Sequence, residues 1–309
     1  MKPVTEDLFQ FLEVTRCNAC LSDRQRPLGF RGGTAHRVGA GVRTRVVACK
    51  ECQLIFANPM PIPKNPSLLY DTTAEEYFAH HSLQVKRDVT ISTLTELEKR
   101  TKGRRLLDVG CGQGVVLEVA HNRGWEVIGL DISEKFAEFA KNNLSVPVRV
   151  GDIATVELDH DFFDVVVVNA ILEHLIDPRK VLMKIQRALK PGGLLLIDVP
   201  NERGLYYRVG NIWQRLCGRD WVVNLSPTFA PGHLYGFSPR SLQTILRQTG
   251  FADVTIRIYQ GRNCLPDPRN AREVLERFGT SAVMLIADLL GLGDGLQALA
   301  QKDEATRAS

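Results

Sequence analysis

The segment Leu106-Leu107-Asp108-Val109-Gly110-Cys111-Gly112-Gln113-Gly114 runs from an apolar stretch into three glycines that alternate with single residues. An apolar stretch from Arg105 to Val109 reads as a buried strand, and the residues after Gly114 read as a helix. Glycines at such a junction let the backbone turn sharply and approach a ligand closely. The dinucleotide fingerprint needs a further glycine three residues after Gly112, where Val115 stands, so that cofactor class is disfavoured. No Gly-Lys-Ser/Thr follows, which excludes a phosphate-cradling P-loop.

Outward from this loop, short apolar runs alternate with helical patterns between residues 104 and 260, as in a parallel sheet. Strands are predicted at Arg105–Val109, Glu126–Leu130, Val146–Val150, Phe163–Asn169, Leu194–Val199 and Val254–Tyr259. Ser133, Asp177-Pro178 and Ser238-Pro239 are placed to cap the helices that follow them. Lys190-Pro191-Gly192-Gly193 reads as a helix breaker. Residues 269–291 read as an amphipathic helix, and the alternation of Leu296, Ala298 and Ala300 predicts one final edge strand.

Two acids follow the glycine loop at strand ends. Asp131 lies 21 residues after Gly110 and is placed to accept hydrogen bonds from two ribose hydroxyls. Asp152 ends the third strand, where it is placed to take an adenine amino group while Ile153 packs on the ring. Open α/β sheets bind ligands at these carboxyl ends.

The ordered set Asp108, Gly110, Gly112, Gly114, Asp131-Ile132, Asp152-Ile153, Phe163 through Asn169, and Leu189 through Gly193 resembles class I S-adenosylmethionine-dependent methyltransferases. The resemblance covers about Arg104 to Tyr259. It implies an α/β fold, a Rossmann-like class I methyltransferase sheet with helices on both faces, and S-adenosyl-L-methionine as cofactor. Chemistry on that cofactor needs an aligned nucleophile and often a base. The Asn169-Ala170-Ile171-Leu172-Glu173-His174-Leu175 segment lacks the Asn/Asp-Pro-Pro-aromatic motif of enzymes that methylate base amines, and no Pro-Cys pair stands there. Its Glu-His-Leu form is similar to small-molecule, quinone- or sugar-type members. Glu173 and His174 are therefore candidates to orient cofactor and substrate, or a polar helix start. In Pro231-Gly232-His233-Leu234-Tyr235-Gly236-Phe237-Ser238, His233 is a candidate general base near its intrinsic pKa of ~6.5. In sugar C-methyltransferases a Glu often stands where Gly232 does, so carbon, oxygen and nitrogen acceptors all stay open. Asn201, Tyr206, Tyr207, Trp213, Arg219 and Trp221 fall in the insertion where this family builds substrate lids. Tyr70 and Tyr77 are placed to cap the cofactor.

Seven cysteines in 309 residues are too few, and too odd a number, for a disulfide scaffold. Four form the pairs Cys17-Asn18-Ala19-Cys20 and Cys49-Lys50-Glu51-Cys52, with 28 residues between the pairs. Two such pairs complete a closed four-thiolate Zn2+ site of the structural kind. With the β-prone stretch Val42–Val47 they suggest a small N-terminal zinc-ribbon-like module, redox dithiols being the alternative. Bacterial methyltransferases for sugars, polysaccharides and secondary metabolites carry a similar module ending in Asn-Pro-x-Pro, here Asn58-Pro59-Met60-Pro61. The expected organisation is a zinc module with Pro-rich linker at 1–62, a helical entry at 63–103, a methyltransferase core at 104–262, and a C-terminal helix with strand at 263–309.

Apolar residues make up 44% and charged residues 24%, a globular balance that excludes wholesale disorder. No apolar run approaches the ~20 residues of a membrane span. Met1–Val14 carries Glu6, Asp7 and Glu13 and does not resemble a secretory signal. A cytoplasmic protein acting on a small molecule, a sugar or metabolite that could be nucleotide- or carrier-linked, is the leading expectation. Residues 16–52 hold eight Lys/Arg against Asp23 and Glu51, while the whole chain is only +4. The basic module keeps an alternative open, an RNA methyltransferase gripping phosphate. A non-catalytic binding protein that retains the fold is the third reading.

Overall fold

The computed structural model describes residues 8–33, 42–64, 83–229, 231–261 and 271–303. Tyr70, Tyr77 and Cys264 lie outside the described residues. The chain folds as β1 (Phe9–Leu12), β2 (Gln25–Gly32), β3 (Arg43–Cys49), β4 (Ile55–Ala57), β5 (Met60–Pro63), α1 (Leu83–Arg100), β6 (Arg105–Val109), α2 (Val115–Asn122), β7 (Glu126–Asp131), α3 (Glu134–Leu144) and β8 (Val148–Val150). There follow β9 (Phe163–Asn169), α4 (Pro178–Ala188), β10 (Leu189–Pro200), α5 (Leu205–Leu216), β11 (Tyr235–Gly236), α6 (Pro239–Gln248), β12 (Phe251–Tyr259), α7 (Ala271–Leu289) and β13 (Gly295–Lys302).

Seven strands form the central sheet in the order β12-β13-β10-β9-β6-β7-β8. Strands β8, β7, β6, β9 and β10 run parallel, and β13 is antiparallel to both of its neighbours. Phe163 through Val168 of β9 are all buried, as suits a strand covered on both faces. The predicted edge strand is found, but it is not at an edge. Strand β13 lies between β10 and β12, so both its backbone edges are bonded. The alternation seen in the sequence reflects one buried face, with Leu296, Ala298 and Ala300 at 0–1% exposure, and carries no information about position in the sheet. The predicted breaker at Lys190 does end a helix. The chain is by then already in β10, and the Lys-Pro-Gly-Gly run forms an irregularity between Leu189 and Leu194.

The helix caps act as the sequence suggests. Ser133 accepts from Phe136 N–H, Asp177 from Lys180 N–H, and Ser238 forms a capping box with Ser241. Helix α4 turns Val181, Leu182 and Ile185 onto the sheet, and burying each such side chain contributes about 1.5–3 kcal/mol.

The cysteine segment builds a second sheet of four strands, ordered β11-β4-β3-β2. Its fourth strand, Tyr235–Gly236, comes from far down the chain and pairs with Phe56 and Ile55. The Pro-rich segment is extended, yet it is no free linker. Met60–Pro63 pairs with β1, and the Asn58 side chain is tied to Val14 N–H, Val14 C=O and Gln25. Val14, Cys17 and Phe56 share one continuous apolar core with Leu107, Val109 and Leu182 of the larger sheet.

Candidate active site

The carboxyl ends of β6, β7, β8 and β9 open onto a cleft of about 2190 Å3. Drug-sized ligands occupy roughly 300–1,000 Å3, so there is room for a cofactor and an acceptor together. At the exit of β6, Gly110, Gly112 and Gly114 have φ of 72°, 52° and 77°, the left-handed region that side chains resist. Gly110 is doubly constrained, because a Cβ there would stand 2.2 Å from Ile171 Cδ1. The loop is anchored by Gly110 N–H and Cys111 N–H, which donate to Leu130 C=O.

Asp131 ties this loop to the next strand. One carboxylate oxygen accepts from Gly112 N–H at 2.9 Å and the other from Ser133 N–H at 2.8 Å. Burial pushes the Asp131 carboxyl up, and the two backbone donors pull it back. Asp108, buried beneath, is pushed up to about 7 by burial and the nearby Asp131. Asp152 accepts from Ala154 N–H at 2.8 Å and so shapes its own turn. Asp152, Ile153, Ile132 and Asn169 all line the cleft, and Ile132 is 50% exposed, an apolar face in reach of a ring. Of the predicted cofactor residues, Asp108, Gly110, Gly112, Asp131, Ile132, Asp152, Ile153 and Asn169 line the cleft; Gly114 does not, and its Cα lies against Leu144 and Ala140 of α3, where a Cβ would stand 2.3 Å from Leu144 Cδ1. Cys111 is buried.

Glu173, His174 and His233 also line the cleft. The 3-10 turn Leu172–His174 follows β9, and Glu173 C=O accepts from Leu234 N–H at 2.9 Å. His174 Nδ1 lies 3.3 Å from Gly232 C=O. The two imidazoles meet edge to face with centroids 4.9 Å apart. Glu173 Oε1 lies 3.9 Å from His174 Nε2 and 3.8 Å from His233 Nε2. Both Glu173 oxygens are buried without a hydrogen-bond partner, and burial pushes that carboxyl up to about 8. The expectation that His233 titrates near its intrinsic value is not met. Burial, reinforced by the neighbouring His174, pushes it down to about 3, and burial takes His174 to about 4. Both rings are therefore neutral near pH 7.

Asp198 and Tyr259 also line the cleft and were not singled out from sequence. The Tyr259 hydroxyl donates to Asp198 at 2.6 Å. The signal was present, since Asp198 is the lone charge inside the apolar run Leu194–Val199. Of the predicted lid residues, Tyr207 reaches the cleft. Asn201 holds Gly293 C=O and Arg203 N–H instead, and Trp213 is 62% exposed.

The four paired cysteines come together as predicted. Cys17 and Cys52 Sγ are 3.4 Å apart, Cys20 and Cys49 Sγ 3.5 Å, and all four lie within 4.8 Å of one another. A tetrahedron with Zn–S near 2.3 Å has edges of about 3.8 Å, so the set fits one Zn2+. Several basic residues of this segment are engaged internally. Arg31 donates to Leu225 and Val222 C=O, Arg45 to Asn58 C=O, and Arg24 pairs with Glu51. Arg43 stacks on Phe30 at 3.7 Å. Among the described residues no helix is long and apolar enough to cross a membrane.

A family model described as "Methyltransferase domain" matches residues 80–256. The ubiquinone biosynthesis O-methyltransferase of Coxiella burnetii (strain Dugway 5J108-111) is 32% identical over 131 residues, 41% of this chain and 54% of the relative. The Bordetella avium protein of the same name is 29% identical over 165 residues, 51% of this chain and 66% of the relative. The chain thus spans about half to two thirds of the length of these curated relatives. Among solved structures, Haemonchus contortus phosphoethanolamine N-methyltransferase 2, in complex with phosphomonomethylethanolamine and S-adenosylhomocysteine, superposes with a TM-score of 0.57 at 20% identity, covering 81% of this chain and 64% of that one. A SAM-dependent methyltransferase from Archaeoglobus fulgidus gives 0.51 at 24% identity, covering 77% and 100%. Both structural likenesses are likenesses of fold.

Proposed function

This chain belongs to the methyltransferase-domain family, and on that premise we propose that it transfers a methyl group from S-adenosyl-L-methionine to an oxygen of a small molecule. One observation carries the reading: the glycine loop, clamped to Asp131 through Gly112, and the Glu173, His174 and His233 cluster line one cleft. The cradle fits the cofactor. Two lone-pair sites of the Asp131 carboxylate stay available beyond its backbone donors, and they suit two ribose hydroxyls. Gly110 and Gly112 admit close backbone approach, Asp108 borders the loop from below, Asp152 suits the adenine amine, and Ile132 and Ile153 suit its ring. Asn169 stands at the junction of the two halves. When bound, the cofactor supplies an electrophilic sulfonium methyl, so the protein's task is alignment and proton removal.

The curated relatives are named for O-methyl transfer, which supports an oxygen acceptor. His233 and His174, neutral through burial, and Glu173 form the polar wall that orients the acceptor. Tyr207 and the Asp198–Tyr259 pair border the space it would fill. The RNA reading weakens, because four arginines of the basic segment are engaged within the protein. We assign residues 1–62 to a zinc module, 63–103 to the helical entry, 104–262 to the methyltransferase core, and 263–309 to the helix and strand that complete it. Cys17, Cys20, Cys49 and Cys52 would hold one structural Zn2+, and thiolates kept for a metal suit the reducing cytoplasm.

The test is methyl transfer from labelled S-adenosylmethionine to a panel of phenols, catechols, sugars and nucleotide sugars, with RNA in parallel. Transfer to an oxygen of a small molecule is expected. Transfer to RNA alone would overturn the acceptor class, and no cofactor binding would overturn the activity.

A further inference from the structure

Lys184 stands within helix α4, whose Val181, Leu182 and Ile185 are buried on the sheet. Its ammonium donates to three main-chain carbonyls of a single turn, Ile153 at 3.1 Å, Ala154 at 2.9 Å and Val156 at 2.8 Å. An ammonium has three donors, so all of them are committed. Fixing a long lysine stem costs rotamer entropy, and a lysine on a helix surface ordinarily stays in water, as Lys180 of the same helix does with its side chain 84% exposed. The turn that Lys184 holds carries Asp152 and Ile153, the residues suited to the adenine amine and ring.

Two ties fix Asp152 from opposite sides. Upstream, Gly151 N–H donates to Asp131 C=O at 2.8 Å, which joins the turn to the strand end that carries the ribose acid. Downstream, β8 has ended, and the turn closes through Thr155 and Val156 N–H, which donate to Asp152 C=O at 3.0 and 2.8 Å. One peptide group then links the two charges. Its carbonyl, Ile153 C=O, accepts from Lys184, and its N–H, on Ala154, donates to Asp152 Oδ1 at 2.8 Å. Hydrogen bonds in series polarise one another, so the ammonium strengthens the bond that holds the carboxylate. Asp152 Oδ2 has no hydrogen-bond partner among the described residues, and Asp152 and Lys184 both line the cleft.

We propose that Lys184 is a positioning residue that sets the nucleobase specificity of the cofactor site. It holds the Ile153–Ala154 peptide, and that peptide holds Asp152 Oδ1, so that Oδ2 is presented to the exocyclic amine of adenine. The proposal deepens the methyl-transfer reading and rests on it for the identity of the ligand. An ionised carboxylate accepts hydrogen bonds and donates none. It therefore selects adenine, which offers an amine, over hypoxanthine, which carries a carbonyl in the same place. A site built to pair one polar group rejects the analogue that lacks it, and the strength of that rejection rests on how firmly the pairing group is fixed. Lys184 acts here through one peptide plane and not by touching the base.

The experiment measures binding of S-adenosylhomocysteine and of S-inosylhomocysteine to the full chain by calorimetry. Wild type is expected to favour the adenine compound by more than about tenfold. Lys184→Met keeps the stem and removes the donors. It is expected to lose most of that preference, through weaker binding of S-adenosylhomocysteine with the inosine compound little changed. A general weakening of the fold lowers both affinities alike and leaves their ratio where it was. Should Lys184→Met fail to fold by circular dichroism, Lys184→Gln carries the comparison. An unchanged ratio overturns the role of Lys184 and leaves the cofactor site standing. Asp152→Asn tests the reading beneath, because it gives hypoxanthine a donor and is expected to erase the preference with Lys184 in place. A preference that survives Asp152→Asn overturns the adenine assignment and the proposal with it. Wild type that binds neither compound overturns cofactor binding itself.

Discussion

Asn18 Nδ2 donates a 2.5 Å hydrogen bond to the Tyr235 hydroxyl, joining the first cysteine turn to the strand that begins two residues after His233. Tyr235 in turn donates to Ile176 C=O at 3.1 Å, just beyond Glu173 and His174. Its backbone extends the module's sheet opposite Phe56. The cysteine module therefore buttresses the segment that presents His233 and takes part in shaping the acceptor end of the cleft.

From this follows a split between the two halves of the cleft. Asn18→Ala removes one hydrogen bond, worth about 0.5–1.5 kcal/mol of stability. It is expected to lower kcat/KM for the acceptor while leaving cofactor affinity unchanged. Metal analysis should give one zinc per chain in the cysteine site. Stripping that zinc with a chelator should lower the Tm and the acceptor kcat/KM together. A metal-free chain with unaltered Tm and activity would refute the buttress.

Asp131 is the cofactor half's counterpart. Asp131→Ala removes the acceptor for Gly112 and Ser133 N–H together with the two expected ribose bonds. Charge-assisted bonds contribute roughly 1.5–3 kcal/mol each, so the loss of two predicts at least about 100-fold weaker S-adenosylmethionine binding by calorimetry. Equal affinities for the two proteins would sink the ribose assignment.

The cofactor half was legible in the sequence because it is local. Alternating glycines after a strand, an acid at the next strand end and another at the third are each fixed by the residues around them. The acceptor half was legible by residue type and not by state. Glu173, His174 and His233 are identifiable in the chain, yet their burial arises from packing between the Leu172–His174 turn and the Pro231–Ser238 segment, and burial is what moves His233 to about 3. Strand β13 shows the same limit, since its alternation reports a half-buried face while its place between β10 and β12 is decided by two distant partners. Asp198 lay in plain view within an apolar run, and its significance emerges only with Tyr259 beside it.

Gly110 offers a test of the loop that is independent of any ligand. Gly110→Ala forces a side chain into the left-handed region, costing about 1–2 kcal/mol, and drives its Cβ against Ile171 Cδ1. The total loss in urea unfolding is expected to exceed about 2 kcal/mol. Adding Ile171→Ala removes the clash but not the backbone strain, so the double variant should recover part of the loss, a coupling of about 0.5–3 kcal/mol. Strict additivity would show that Ile171 does not press on the loop.

Glu202 predicts how stability varies with pH. It is 2% exposed, and burial pushes its carboxyl up to about 7, partly opposed by Asn224, Leu225 N–H, Arg31 and Tyr207. Between its ordinary value of about 4.5 and this raised one, the folded chain holds a proton that the unfolded chain has released. Stability from this residue is therefore full below about pH 4.5 and is lost as pH rises toward 7, on the order of 3 kcal/mol over the window. Glu202→Gln keeps a neutral amide beside Asn224 and removes that slope. Urea unfolding of both proteins between pH 4.5 and 7.5 should give curves whose difference changes steadily in this direction. Parallel curves would mean that Glu202 is ionised in the folded protein throughout, with Arg31 neutralising it across the junction between β2 and the 222–225 segment.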